Sequence, residues 1–273
     1  MIQRIKGISH RLVPLLALLL LETPLNWVGL ICHEGGHGLV ALAQGGTFTG
    51  ILVTQSGSYA LAQSNLVSVG GWMGQYALAI AALLTYWKVR PKSFLGKSVL
   101  AVLIIQNLIS EPPYIASLQG DSAATLGILE KAGIGMLPSI AILEITALVL
   151  GLVGIYGALR ILRTYLSSIF SWIGSRRASW ASLVFVVGEA AYTWFTNLVP
   201  SESVLTTNTL FQVASFIGFL VVFSLFVIPP VPVGTLGIPS RGPTITTVVF
   251  IVLIFVEAQI VFFFVLPITI PLP

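Results

Sequence analysis

His33, Glu34 and His37 are the residues of this chain whose types and spacing could do chemistry together. Two histidines four apart on a helix project from one face a turn apart, so both imidazoles can reach one metal ion. Zinc suits such a pair, because imidazole nitrogen is an ordinary zinc ligand and a catalytic zinc keeps one position for a water whose pKa falls to about 7. Glu34 stands beside the pair, able to take a proton from that water without being a ligand and to return it to a leaving group. The plainer reading is that these residues pair with one another for helix packing. Their setting argues against it: an ionisable group inside an apolar span costs roughly 2.5–3.5 kcal/mol on insertion scales and marks function by default. Two of the chain's 3 histidines fall in this run, and the remaining one, His10 beside Arg11, is expected to be solvated.

The surrounding elements are apolar. Of 273 residues, 56% are hydrophobic and 8% charged, where a soluble domain devotes about 25% to charge. A helical crossing takes about 20 apolar residues, and blocks of that kind fall at 12–43, 66–87, 95–114, 136–160, 180–199, 208–228 and 244–267. The expectation is an all-α polytopic membrane protein with about seven transmembrane helices and a small β-hairpin after the first. The first block is too long for one straight crossing, and Thr23-Pro24 reads as a cap and first turn, so a kink or a fresh start is expected there. With the N-terminus cytoplasmic, every lysine and arginine except Lys131 falls on the cytoplasmic side, which is the positive-inside pattern. This suits a multi-pass protein of a prokaryotic plasma membrane, whose first span is retained rather than cleaved as a signal. Basic residues confined to short loops exclude a nucleic-acid partner, and the single cysteine, Cys32, excludes an internal disulfide. Residues 1–165 carry the chemistry, and 166–273 form a C-terminal extension of three spans.

Between the first two blocks, Thr47–Gln63 is too polar to span, and its β-branched residues around Ser56-Gly57-Ser58 read as a hairpin. An exposed strand edge there could recruit an extended peptide, although hairpins also serve as plain connections. Gly35, Gly36 and Gly38 weaken a helix, which is useful where another backbone approaches closely. Asp121 is the only aspartate. By this topology it lies on the side that the first span reaches after His33, either completing a metal site or capping the helix behind it. Glu111, ahead of Pro112-Pro113, is its nearest rival as a ligand or as a partner of one. Glu144, Glu189 and Glu257 fall within spans, where a lone carboxylate is costly.

The run Cys32-His33-Glu34-Gly35-Gly36-His37-Gly38-Leu39-Val40-Ala41, followed by Gly45-Gly46, a Ser-Gly hairpin and Gly70-Gly71, resembles the site-2 protease family of intramembrane zinc metallopeptidases over about residues 20–135. The resemblance implies zinc held by His33, His37 and a downstream aspartate, here Asp121, with Glu34 as general base and acid. It also implies a hairpin that receives substrate in extended form, and a membrane-protein or transmembrane-peptide substrate within the lipid bilayer. The family's Asn-Pro-x-Asp-Gly setting for the aspartate is missing; Asn107 and Pro112-Pro113 lie nearby at other spacings. Ser56, Gly57, Ser58 and Asn107 stand as candidate substrate contacts. Two other classes compete: an ion-coupled transporter using the intramembrane carboxylates, and a metal-binding but inactive scaffold. The sequence leaves the oligomeric state open.

Overall fold

The computed structural model describes residues 2–54, 57–63, 67–118, 120–169, 186, 188, 244–261, 265 and 267–271. In chain order these form α1 (Ile2–Ala43), β1 (Thr47–Thr54), β2 (Gly57–Gln63), α2 (Val67–Val89), α3 (Phe94–Ile109), α4 (Glu111–Ala116), α5 (Asp121–Lys131), α6 (Met136–Ile169), α7 (Ile245–Ile260) and β3 (Ile268–Pro271). Among the described residues, 3 helices are long and apolar enough to cross a membrane: Val67–Val89, the α3–α4 run Phe94–Ala116, and Met136–Leu166. They match the expected spans at 66–87, 95–114 and 136–160, and the described residues do not support seven. Expected spans 180–199 and 208–228 lie almost wholly outside the described residues, and the block at 244–267 yields a helix of only 16 residues. Many outward-facing side chains are apolar, with Met73, Ile80, Leu84 and Trp87 on α2 and Ile142, Ile145, Val149 and Val153 on α6, where Glu144 also faces outward.

α1 narrows a second expectation, because it runs as one helix of 42 residues through Pro14 and Pro24 and makes no fresh start there. A proline inside a helix removes one hydrogen bond, and a neighbouring helix can supply polar contacts in that turn. Here the Gln106 side-chain amide of α3 approaches the Glu22 carbonyl at 3.5 Å. The helix stops where glycine allows it: Gly45 takes a φ of 73°, and the Gly46 N–H donates to the Ala41 carbonyl at 2.9 Å, a left-handed glycine stop.

α1, α2 and α6 all pack on α3, whose Ala101 and Ile104 are completely buried. Where α1 meets α2 the two backbones touch. A Cβ on Gly36 would fall on the Gly70 carbonyl, one on Gly74 on the Cys32 carbonyl, and one on Gly71 on the His33 ring. This is close packing through small residues, the favoured way for helices to associate in lipid. Gly38 makes room instead for the Phe48 ring of β1, whereas Gly35 faces open space.

The hairpin forms as expected, with Leu52 opposite Tyr59 and Val53 opposite Ser58. It gains a third strand that sequence patterning did not indicate: β3 pairs antiparallel with β1, Ile51 opposite Ile270, in the order β2-β1-β3. Gly50 permits that pairing, since a Cβ there would stand 2.6 Å from the Ile270 carbonyl oxygen.

If the α1–α2 contact depends on glycine, Gly74→Ala should cost about 1–3 kcal/mol through overpacking. Gly127→Ala, at a helical position with nothing within 4 Å, should be neutral or stabilising by up to about 1 kcal/mol. Thermal unfolding of both purified variants in detergent makes the comparison, and equal behaviour would show that the contact is not tight.

Candidate metal centre

α1 supplies His33, Glu34 and His37, all buried, with donor atoms that lie within 4.8 Å of one another. The two imidazole rings stand edge to face, 4.8 Å between centroids. Asp121 comes from the first turn of α5, and its Oδ2 is 3.0 Å from the Nε2 of both histidines. The N-cap residue of α5 is Gly120, which makes no side-chain cap, and the Asp121 carboxylate is turned to the histidines.

Several local features bring Asp121 there. The turn after α4 uses two left-handed residues, Leu118 at φ 53° and Gly120 at φ 52°, and a Cβ on Gly120 would strike the Tyr114 hydroxyl. That hydroxyl accepts the Asp121 backbone N–H at 3.3 Å, and the Tyr114 ring lies edge to face with His33. Ser68 of α2 and Thr125 of α5 hydrogen-bond at 3.0 Å, tying the two helices together beside the site.

The far edge of each imidazole is anchored. His33 Nδ1 is 3.0 Å from Glu111 Oε1, and a carboxylate can only accept, so Nδ1 carries the proton. His37 Nδ1 is 2.5 Å from the Val67 carbonyl and 3.2 Å from the Gly71 N–H. Both contacts cannot be hydrogen bonds of one tautomer. The carbonyl contact is the shorter, and Val67 is also the ordinary helical acceptor of Gly71, so Nδ1–H donating to Val67 is the consistent assignment. Glu111 therefore faces the ring edge opposite Asp121 and is not placed to share an ion with His33 Nε2.

With both Nδ1 atoms protonated, neutral imidazoles present bare lone pairs at Nε2, and both point at a carboxylate oxygen. Three acceptors meeting at 3.0 Å repel one another unless protons or a cation lie between them. Zinc–nitrogen and zinc–oxygen bonds run about 2.0–2.2 Å, so donor atoms at this separation fit two ligands of one small ion. The donor set thus fits a metal, and protons are its competitor. In the metal-free site, burial alone would raise the Asp121 carboxyl, but hydrogen bonds and charge from His33 and His37 outweigh it and hold the group at about 2.

Glu34 is oriented separately. Ser58 of β2 donates its hydroxyl to Glu34 Oε1 at 2.8 Å, which requires the hairpin to fold back along α1. Of the other candidate contacts, Gly57 opens β2 opposite Thr54 and Ser56 lies outside the described residues. Asn107 is packed between α3 and α1, 1% exposed, with its Nδ2 donating to the Leu103 carbonyl at 2.8 Å and its Oδ1 against Gly29. Cys32 is a free thiol on the same helix. Tyr114 and the Val67 carbonyl escaped sequence reasoning: one is an aromatic in an apolar run and the other a backbone atom, so neither carries a signal.

No protein-family model matches the chain, and neither does any curated protein or solved structure. The likeness to site-2 proteases therefore rests on the quoted residues alone.

Because protons and metal compete for the same lone pairs, binding should release protons and weaken as pH falls. Metal retained after desalting across a pH series measures this. At its upper end, His37→Ala and Asp121→Ala should each reduce affinity by more than about 100-fold, beyond the loss usual for an outer partner. Retention that ignores both pH and these substitutions would place the metal elsewhere.

Proposed function

We propose that the chain is an intramembrane zinc metalloendopeptidase that cleaves membrane-protein substrates. The observation that carries this reading is the convergence of His33, His37 and Asp121 on one point with Glu34 beside it, inside a bundle of apolar helices. His33, His37 and Asp121 are the ligands in this reading. When bound there, zinc supplies a Lewis acid and an acidified water. Glu34 accepts a proton from the attacking water at a carboxylate oxygen and returns it to the leaving amine nitrogen. Ser58, by donating to Oε1, fixes the carboxylate and leaves Oε2 for that proton.

A protease must also hold its peptide extended, and the hairpin offers a strand edge for it. β3 covers the outer side of β1, so among the described residues β2 and β3 are the two edges of the sheet, and β2 is the one whose Ser58 reaches the general base. Main-chain pairing along an edge gives affinity with little dependence on sequence, as suits a transmembrane segment unwound at the site. The transporter reading draws no comparable support among the described residues, where Glu144 and Glu257 face outward on their helices; Glu189 lies outside them.

The test is purified wild-type protein against Glu34→Gln, scored for bound zinc and for cleavage of a model transmembrane substrate. Equal zinc and a rate lower by about 10²–10⁴-fold is the expected result for losing a general acid–base. Equal cleavage by both proteins would refute the proposed mechanism. Tyr59→Pro, at a half-exposed β2 position, should slow cleavage while sparing zinc, since proline removes a strand donor; unchanged turnover would remove the edge from the account.

A further inference from the structure

We propose that Glu111 is a positioning residue of the metal centre, holding the His33 ring and strengthening its Nε2 as a donor; this rests on the metal-centre reading above. Glu111 is 3% exposed, with Oε1 3.0 Å from His33 Nδ1 and Oε2 buried without any hydrogen-bond partner. A carboxylate in that position is costly, since a buried acceptor without a partner loses its hydration, and more so if charged. An apolar side chain of similar size would fill the space without that cost. What only the carboxylate adds is a charged acceptor on the far edge of one ligand.

The backbone is arranged to put it there. α3 ends at Ile109, Ser110 stays helical, and Glu111 opens α4 with Pro112 and Pro113 in the first turn. Pro112 leaves the Leu108 carbonyl without its helical donor, and at that carbonyl Gly154 of α6 makes its closest approach. The break is thereby packed rather than loose, and the side chain of its first residue turns to α1. His37 has no equivalent need, because the Val67 carbonyl anchors it from the first turn of α2. The two histidines are thus held unequally, one by a neutral carbonyl and one by a carboxylate. A carboxylate on the outer nitrogen fixes the tautomer, orients the ring and raises ligand basicity.

Glu111→Gln keeps an oxygen for Nδ1–H but removes the charge; Glu111→Ala removes both. Measured on the full chain in detergent by chelator competition, zinc should bind about 10-fold more weakly in the first and about 100-fold more weakly in the second. The cobalt(II) absorption bands of both variants should differ from wild type. Unchanged zinc affinity and an unchanged cobalt spectrum in Glu111→Gln would make Glu111 a packing residue and overturn the assignment. Wild-type protein that binds neither metal would overturn the metal-centre reading along with it.

Discussion

Where α1 crosses α2 there is no room for a side chain, and the placement of both histidines follows from that contact. Gly36, Gly70 and Gly74 let the two backbones meet. The His33 ring is thereby laid against Gly71, and the Val67 carbonyl, at the end of α2, comes within reach of His37. In lipid, dense packing of this kind supplies association that hydrophobic burial cannot, because the surrounding tails are as apolar as leucine. The same glycines that weaken the helix in isolation are therefore what makes it a rigid platform.

On that platform the chemistry is a matter of acceptors brought together. Each carboxylate that meets the histidines is delivered by an interruption in regular structure: Glu111 by the break before Pro112-Pro113, and Asp121 by the left-handed turn through Leu118 and Gly120. Glu34 rides on α1 itself but is held by Ser58 from the hairpin. A buried group of lone pairs without a cation or protons is unfavourable. A donor set of this kind could hold a metal ion.

What could be read from the sequence follows its periodicities. His33 and His37 share a helix face because they are four apart, and the β-branched run after Gly45-Gly46 forms its hairpin. Asp121, the one aspartate, meets them as its residue type nominated. Features that depend on tertiary contact were not legible. α1 passes through Pro24 without a break, in a turn that Gln106 of α3 approaches. β3 is four residues ending in proline and pairs only because Gly50 admits it. The Glu111 contact joins residues 78 apart, and local pattern could only nominate it as a rival ligand. Hydropathy marked further spans at 180–199 and 208–228, which lie almost wholly outside the described residues.

X-ray absorption at the zinc edge, on the purified chain, tests the central claim most directly. The account predicts one zinc per chain with only nitrogen and oxygen neighbours at about 2.0–2.2 Å and an imidazole scattering pattern from two histidines. A protein without zinc, or a sulfur neighbour at about 2.3 Å drawn from Cys32, would contradict it.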